Sequence, residues 1–308
     1  MVYDHPKISV VLSSFNGAQF IEEQINSIIE QTIKPDEIIV CDDGSSDDTI
    51  HILKKFEASN QIKLVLNKSN LGILANFKLG ASLANPNNYI AFSDQDDIWL
   101  PNKLASNFEA MLKLECNGSN SAIPCLVYSD LLFMNENGVT MNNSFYNLMG
   151  LDKFEHCFET ALFGSILLGC TIFINAPMRT ELLSSPDSKL FYHDAWLSLL
   201  GFSIGKIHFI NSPQVKYRLH NNNASLQNFT KRNRFLNALN HIKKTLLNSS
   251  YLEYELALAK AFKHQYQAQL NPDHQFILDS FLSLDHKYYF QKKWAFEKAF
   301  KNKWIKRF

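Results

Sequence analysis

The chain has 308 residues, of which 46% are hydrophobic, so it can form one large domain or a smaller domain with an appendage. Basic and acidic residues are balanced at 30 each, yet residues 1–226 hold 15 basic and 24 acidic side chains, whereas residues 227–308 hold 15 and 6. Five scattered cysteines without a CxxC or Cys/His spacing exclude a disulfide framework and a zinc site, and they indicate reduced thiols in the cytoplasm.

Short β-branched runs alternate with helical patterns through the first hundred residues. The predicted strands are 7–13, 36–42, 62–67 and 89–93, and the predicted helices are 18–31, 47–58 and 72–84. This alternation is typical of a mostly parallel sheet with helices on both faces, where ligands bind beyond the carboxyl ends of the strands. The polar clusters SSFNG, DDGSSDD, NKSNLG and DQDD fall at those ends.

After Pro101 the alternation is less regular. Strands are predicted at 125–135, 169–175, 204–211 and 215–219, with a helix near 154–164 and another after FYHD at 191–194. From about residue 228 the pattern becomes helical and rich in Lys, Phe, Leu and Tyr. We therefore predict an α/β domain over 1–226, with halves of about 1–100 and 101–226, and a basic helical region over 227–308.

Two features bear on localisation. No apolar signal segment precedes the first predicted strand, so we expect no secretion. The longest apolar stretch, 161–174, has 14 residues and two glycines, which is too short to span a bilayer. We expect a cytoplasmic protein, and we expect no nucleic-acid partner.

Three carboxylates crowd the end of the fourth predicted strand in YIAFSDQDDIWLP, residues 89–101. Asp94, Asp96 and Asp97 repel one another unless something positive lies among them. The D-x-D pair Asp94 and Asp96 can share a hydrated Mg²⁺ or Mn²⁺ while a diphosphate supplies the remaining oxygens. Acidic loops are common without a metal, but this one follows a strand and shares its sheet edge with a second acidic turn.

That second turn is VCDDGSSDDT, after the second predicted strand. Asp42 and Asp43 can accept the N–H of a pyrimidine ring or a ribose hydroxyl, and neither role requires a metal. The other acidic pair, Asp47 and Asp48, has a structural explanation, because Ser46 or Asp47 can cap the next helix.

Two motifs in the second half complete a set of reactive groups. FYHDAWLSLLG places His193 and Asp194 ahead of an apolar helix, where Asp194 is either a candidate base or a helix N-cap. YRLHNNNAS ends a strand with Arg218 and His220, which can contact a leaving diphosphate or the acceptor. The alternative for His220 is an ordinary exposed loop residue.

Taken in order, SVVLSSFNGAQF, IIVCDDGSSDDT, NLGILANF, YIAFSDQDDIWLPNKL, GCTIFIN, HDAWL and YRLHNNNAS resemble family 2 glycosyltransferases, especially the bacterial rhamnosyltransferase-like branch. The resemblance runs from about residue 7 to 225 and does not extend into the tail. It implies a GT-A fold, a nucleotide-diphosphate sugar donor, Mn²⁺ or Mg²⁺, and inversion at the anomeric carbon.

The resemblance also assigns roles to matching positions. Base and ribose would be held by Ser14, Phe15, Asn16 and Asp42 or Asp43, and the nucleotide pocket would be completed by Asn70, Gly72 and Asn76. Asp94 would face the ribose or metal, Asp96 would bind the metal, and His220 would contact the diphosphate or metal. Asp194 would be the catalytic base, preceded by His193 where a Glu often stands, so His193 falls near the diphosphate or acceptor.

The function predicted in this way is transfer of rhamnose or another hexose from a dTDP- or UDP-sugar to a glycan or lipid-linked glycan of a surface polysaccharide or lipopolysaccharide. A dinucleotide-dependent dehydrogenase would need G-x-G-x-x-G after the first strand, which is missing here. A sugar nucleotidyltransferase would open with a Gly-rich basic phosphate loop, which is also missing here. A non-catalytic sugar-nucleotide-binding or scaffold protein is the remaining alternative.

The tail segment 287–308 carries eight Lys or Arg against one acid, Glu297. Its aromatic row at i, i+4 spacing is Phe296, Phe300, Trp304 and Phe308. Such a helix can lie on an anionic membrane surface, which would make the protein peripheral on the inner face of the cytoplasmic membrane. The alternative is a helix that packs these rings on the catalytic domain.

Overall fold

The computed structural model describes residues 7–116, 123–164, 166–220 and 251–302. The predicted domain boundary at 226 lies outside these residues, as do Trp304 and Phe308 of the predicted aromatic row.

Nine strands in the described part form one sheet. They are β1 (Ile8–Ser14), β2 (Glu37–Asp42), β3 (Lys63–Leu66), β4 (Tyr89–Ser93), β5 (Ile98–Trp99), β6 (Cys125–Met134), β7 (Thr140–Ser144), β8 (Phe173–Ile174) and β9 (Lys206–Arg218). Their order is β3-β2-β1-β4-β8-β6-β9-β5, with β7 beside β6. Strands β1 to β4 are parallel, as are β6 and β9, whereas β5, β7 and β8 run antiparallel to their neighbours. The predicted α/β, mostly parallel sheet is confirmed.

Helices cover both faces of this sheet. They are α1 (Ile21–Ile29), α2 (Thr49–Ala58), α3 (Ile73–Leu83), α4 (Lys103–Cys116), α5 (Phe145–Met149), α6 (Phe158–Ala161), α7 (Ala176–Leu183), α8 (His193–Ser203), α9 (Glu253–Tyr266), α10 (Pro272–Leu282) and α11 (Tyr289–Asn302). Single 3₁₀ turns lie at Leu151–Lys153, Gly169–Thr171 and Gln267–Gln269.

The alternation of side chains along β1 explains the two-sided core. Val10 and Leu12 pack on one face with α1, α2 and α4, and Val11 packs on the other face with α3, α7 and α8. Successive side chains of a strand point to opposite faces, so an unbroken apolar run requires cover on both. Helix α3 lies so close that a methyl group on Gly80 would come within 2.3 Å of Val11 Cγ1.

The strand order reverses between β1 and β4. The chain moves outward from β1 to β2 and β3, and then returns to place β4 on the other side of β1. A reversal of this kind leaves a crevice at the carboxyl ends of the two strands, because their following loops diverge. Ser14 and Ser93 end these strands, so the loops that follow them flank the crevice.

Three element predictions in the second half are corrected by the structure. The two strands predicted at 204–211 and 215–219 are one strand, β9, whose pairing with β6 shifts register where Pro213 meets Asp130. A bulge accommodates proline because the bulged residue is not required to donate a ladder hydrogen bond, and proline has no N–H to donate. The helix predicted over 154–164 is only α6, and the strand predicted over 169–175 is a 3₁₀ turn followed by β8.

The C-terminal helices pack on the catalytic half. The ring of Phe262 on α9 lies 5.6 Å from that of Trp196 on α8, and α9 and α10 share one hydrophobic cluster with α3 and α8. On α11, Phe296 packs edge-on against Phe163 at 5.7 Å, and Phe300 contacts Phe154 at 4.9 Å. The prediction that Phe296 and Phe300 lie in a membrane is therefore wrong, and the packed-helix alternative describes them. Within the described chain, no helix combines the length and the apolar character that crossing a bilayer requires.

Candidate active site

A cavity of about 260 Å³ lies at the crevice between the carboxyl ends of β1 and β4, beside the first turn of α8. Its wall is formed by Ser13, Phe15, Ile73, Asp94, Gln95, Asp96, Leu168, Gly169, Cys170, Tyr192, His193, Asp194 and Tyr217. Five of the predicted site residues therefore meet here, namely Phe15, Asp94, Asp96, His193 and Asp194. They come from three separate elements or loops, the loop after β1, the loop after β4 and the first turn of α8.

Three carboxylates share this cavity. Burial, together with the charges of Asp96 and Asp194, raises the pKa of Asp94 to about 7. Burial also raises the pKa of Asp194 to about 6, although the Ala195 N–H, which donates to Asp194 Oδ1 at 2.7 Å, opposes the shift. Repulsion within this group would be relieved by a cation bound among the carboxylate oxygens.

Asp194 lies inside the first turn of α8, because the residue that caps this helix is Tyr192. The N-cap alternative for Asp194 is therefore wrong, and the residue lines the cavity. A cap prediction at α2 is corrected in the same way. Asp48 is the capping position there, while Asp47 accepts the Thr49 N–H at 3.0 Å.

Asp96 is held by two residues at the end of β9. His220 Nε2 lies 2.8 Å from Asp96 Oδ2, and Arg218 Nε donates to the Asp96 carbonyl at 3.0 Å. The other guanidinium nitrogens of Arg218 bind the Glu136 carbonyl and the Glu23 carboxylate. Arg218 is thus buried behind the D-x-D loop and supports it from outside the cavity wall.

The third carboxylate of the loop, Asp97, is fully buried beside Lys103. Its Oδ1 accepts the Arg218 N–H at 3.3 Å. Lys103 Nζ lies 4.3 Å from the centre of the Trp99 ring and makes no hydrogen bond within the described chain, and burial lowers its pKa to about 8. Ligand atoms of Asp94, Asp97 and Cys170 lie within 4.8 Å of one another. However, burial raises the pKa of the Cys170 thiol well above its usual range, so it stays protonated and is a poor metal ligand.

Asp42 and Asp43 are occupied by protein donors. Asp42 accepts the Ser14 hydroxyl at 2.9 Å and the Ser45 N–H at 2.8 Å. Asp43 accepts the N–H groups of Leu71 at 2.7 Å and Gly72 at 3.0 Å, together with the Asn67 amide at 2.9 Å. Both carboxylates join the loops after β1, β2 and β3 and lie outside the cavity wall.

The other predicted nucleotide residues also act within these loops. Asn16 adopts a left-handed φ of 50° and accepts the Ser46 N–H at 2.8 Å. Asn76 is fully buried and donates to Ser13 Oγ at 2.6 Å and to the Cys41 carbonyl at 2.9 Å. The Asn70 carbonyl accepts from Lys189 at 2.8 Å, and Gly72 precedes α3 with a φ of 90°.

Gln95 is a site residue that sequence reasoning missed. Its side-chain Oε1 accepts the Phe15 N–H at 2.8 Å, and its Nε2 donates to the Phe15 carbonyl at 3.0 Å. A side chain on Gly17 would collide with this amide. The pair of bonds positions Phe15, whose ring is 47% exposed at the cavity rim. The D-x-D spacing indicates a role for Asp94 and Asp96, but it carries no signal for Gln95 between them.

Comparison with known proteins identifies the family. The Glycosyl transferase family 2 model matches residues 9–132. The UDP-Glc:alpha-D-GlcNAc-diphosphoundecaprenol beta-1,3-glucosyltransferase of Escherichia coli is 30% identical over 228 residues, which cover 72% of this chain and 81% of that protein. The chain belongs to glycosyltransferase family 2. It is a glycosyltransferase that moves sugar from a nucleotide sugar to a glycan acceptor, which excludes the dehydrogenase, nucleotidyltransferase and scaffold alternatives.

Solved structures share the fold of this family 2 enzyme. The S. aureus TarS 1-349 complex with UDP-GlcNAc matches with a TM-score of 0.61 at 15% identity, covering 95% of this chain and 79% of that one. The mannosyltransferase PcManGT from Pyrobaculum calidifontis, in complex with GDP-Man and Mn2+, matches with a TM-score of 0.55 at 18% identity, covering 97% and 74%. The GT-A architecture is therefore confirmed, while the rhamnosyltransferase branch stays a prediction.

Proposed function

We propose that this enzyme transfers a hexose with inversion, using Asp194 as general base and a divalent cation held by Asp94 and Asp96. The observation that carries the proposal is the meeting of these three carboxylates in one cavity at the reversal of strand order. Asp94 and Asp96 follow β4, whereas Asp194 comes from α8, so the base and the cation ligands belong to different walls.

The donor atoms of the cavity fit a hard divalent cation. Carboxylate oxygens are the ligands that Mg²⁺ and Mn²⁺ prefer, and the burial and crowding that raise the pKa of Asp94 mark a place where positive charge is favoured. When bound, such a cation neutralises negative charge on the departing diphosphate. His220 orients Asp96 through its 2.8 Å contact, and Mn²⁺ in the structure of the Pyrobaculum mannosyltransferase is consistent with this assignment.

Asp194 accepts the proton of the attacking hydroxyl. The acceptor attacks the anomeric carbon from the face opposite the diphosphate, so a single displacement inverts the configuration. Positioned proton transfer contributes typically ~10²–10⁴-fold to the rate. The Ala195 N–H fixes the Asp194 carboxylate at 2.7 Å, which orients it for this role.

For the substrates, we propose a UDP- or dTDP-hexose donor, with rhamnose among the candidates, and a lipid-linked glycan acceptor. The name of the Escherichia coli relative specifies UDP-glucose and a diphosphoundecaprenol acceptor, and the chain spans most of that protein. Phe15 provides an exposed ring at the cavity rim for a nucleobase.

Calorimetric titration with UDP and dTDP, each with and without Mn²⁺, tests donor binding. A hydrolysis screen over UDP-glucose, UDP-GlcNAc, UDP-galactose and dTDP-rhamnose then identifies the sugar. We expect cation-dependent binding of one nucleotide and inverted configuration in the transfer product. Binding that is indifferent to Mn²⁺ and Mg²⁺ would contradict the cation assignment, and a product with retained configuration would contradict the displacement.

We also propose that α11 contacts an anionic membrane surface, through a different face from the one predicted. Phe290 and Trp294 are 63% and 64% exposed and lie one turn apart on the side opposite the packed Ala299. Lys298 lies over the Trp294 ring at 5.2 Å. Aromatic rings with adjacent lysines suit the headgroup region of anionic lipid.

Liposome sedimentation tests this contact. The double variant Phe290→Ala/Trp294→Ala should lose most binding to vesicles of phosphatidylglycerol and should retain nucleotide binding. Leu83→Ala, which removes an exposed side chain at the end of α3, is the control and should bind like the parent. Equal binding of the double variant and the parent would refute the assignment.

A further inference from the structure

His193 is a buried polar side chain with no hydrogen bond among the described residues. It is 4% exposed, and neither ring nitrogen makes a hydrogen bond of ordinary geometry, although the Gly169 backbone lies close enough to oppose the lowering of its pKa. An unpartnered buried polar group costs ~1–3 kcal/mol, and such groups in native proteins mark ordered waters or functional sites. His193 also forms part of the wall of the catalytic cavity.

The ring is fixed in place from three sides. Its centroid lies 4.0 Å from that of Phe77 and 5.2 Å from that of Phe92. On the third side is Gly169, where a methyl group would lie 2.5 Å from His193 Cε1 and 2.6 Å from Nε2. The 3₁₀ turn that carries Gly169 thus leaves room for this imidazole only because the residue has no side chain.

The location of the ring indicates that it faces the donor sugar rather than the acceptor. Phe77 is on α3 and Phe92 is on β4, both of which belong to the nucleotide-binding half. His193 therefore lies on the side of the cavity that Asp94 borders, whereas its neighbour Asp194 carries the base for the acceptor. Burial lowers the pKa of His193 to about 3, so the ring is neutral and does not offset diphosphate charge. A neutral imidazole offers one N–H donor and one acceptor, which matches a sugar hydroxyl.

We propose that His193 is a specificity-determining residue that hydrogen-bonds a ring hydroxyl of the transferred sugar, held between Asp94 and Asp194. The inference rests on the proposed function, because it requires a nucleotide sugar in this cavity. It assigns His193 to the sugar, where the sequence had suggested the diphosphate or acceptor. A site built to bond a substrate hydroxyl discriminates strongly against sugars that lack it or orient it differently.

The test compares His193→Phe, which keeps an aromatic ring but no polar atom, with His193→Gln, which restores a donor and an acceptor. Calorimetry measures the affinity for free UDP and for the nucleotide sugar that the hydrolysis screen selects. We expect His193→Phe to bind free UDP like the parent and to bind the nucleotide sugar roughly threefold to tenfold more weakly, the loss of one neutral hydrogen bond. His193→Gln should recover part of that loss.

Deoxy analogues of the donor locate the contact. With one deoxy analogue, the parent and His193→Phe should have the same kcat/KM, because neither enzyme can form the bond to the missing hydroxyl. With the other analogues, the parent should keep a higher kcat/KM than His193→Phe. If His193→Phe changes every analogue equally, or changes none, the nitrogens bind water only and the proposal fails while the proposed function stands. If the parent binds no nucleotide sugar, both fail.

Discussion

Asp43→Asn is the perturbation that best separates direct nucleotide contact from support of the loop. Asp43 is 5% exposed, and its carboxylate receives three donors, the N–H groups of Leu71 and Gly72 and the Asn67 amide. Asparagine has the same shape but replaces one acceptor oxygen by a donor. If its oxygen keeps Leu71 and Asn67, its NH₂ group faces the Gly72 N–H.

The magnitude follows from these three bonds. Leaving the half-buried Gly72 N–H without an acceptor costs ~1–3 kcal/mol. The two remaining bonds change from charged to neutral acceptors, which costs ~1 kcal/mol each. The free energy of unfolding should therefore fall by about 3–5 kcal/mol, equivalent to roughly 6–15 °C in Tm at ~2–3 °C per kcal/mol.

Urea and thermal unfolding measure this loss, and two variants provide the controls. Asp48→Asn removes the same charge at an exposed cap that makes no side-chain hydrogen bond, so it should change stability by less than ~0.5 kcal/mol. Asp42→Asn should cost less than Asp43→Asn, because two of its donors are the hydroxyls of Ser14 and Ser45, which can rotate to become acceptors.

UDP titration then tests the functional side. If Asp43 only supports the loop that leads to α3, Asp43→Asn should weaken UDP binding together with stability. A variant as stable as Asp48→Asn that no longer binds UDP would refute this reasoning, because Asp43 would then contact the nucleotide directly.

The remaining predictions concern the carboxylates and the buried lysine. Asp96→Asn should lower turnover by at least ~100-fold, the scale of lost charge stabilisation, and full activity with unchanged cation dependence would contradict the metal assignment. Asp194→Asn should retain donor binding and lose transfer, and in the parent kcat/KM should fall below about pH 6, because an Asp194 with a raised pKa is protonated there and cannot accept a proton. Lys103→Met should leave unchanged or raise the free energy of unfolding at pH 7, because the lowered pKa of Lys103 means that the folded protein disfavours its buried cation, and a loss of several kcal/mol in urea titrations would contradict this reasoning.

The first half of the fold could be predicted because its pattern has few alternatives. The predicted strands β1 to β4 begin and end within one or two residues of the observed ones. Apolar runs separated by helical periods allow only a covered parallel sheet, and the right-handed connections fix where the loops lie. The polar clusters therefore fell at the correct sheet edge.

The second half could not be predicted as well, because tertiary contacts decide it. Strands β5 and β8 have two residues each and exist only through pairing with β9 and with β4 and β6. Helices α4 and α7 were not predicted, and α7 begins with an Asn175 cap and a proline that were available as signals. The single strand β9 depends on a bulge opposite Asp130, where Pro213 in the sequence indicates a break between two strands.

At the site, the sequence indicates which residues carry reactive or metal-binding groups, but it does not indicate which of them face the cavity. Asp94, Asp96 and Asp97 are nearly consecutive, yet Asp94 and Asp96 border the cavity and Asp97 is buried beside Lys103. Asp42 and Asp43 resemble them in sequence and are occupied by backbone N–H groups and hydroxyls. Loop conformation makes this division, and it depends on contacts with distant residues such as Arg218.

Those contacts lead to a last prediction about the crowded carboxylates. Asp96 is paired with His220, whereas burial and the neighbouring carboxylates raise the pKa of Asp97 well above its usual range and that of Asp94 to about 7. Of these two, only Asp94 borders the cavity. A cation binds the ionised carboxylate, so binding of Mn²⁺ below pH 7 must release a proton and weaken by up to ~10-fold per pH unit. Titration of the enzyme with Mn²⁺ at pH 6 in two buffers of different ionisation enthalpy counts that proton, and Asp94→Asn should abolish the release. A Mn²⁺ affinity that is unchanged between pH 6 and 8, with no proton released, would mean that Asp94 is not a ligand.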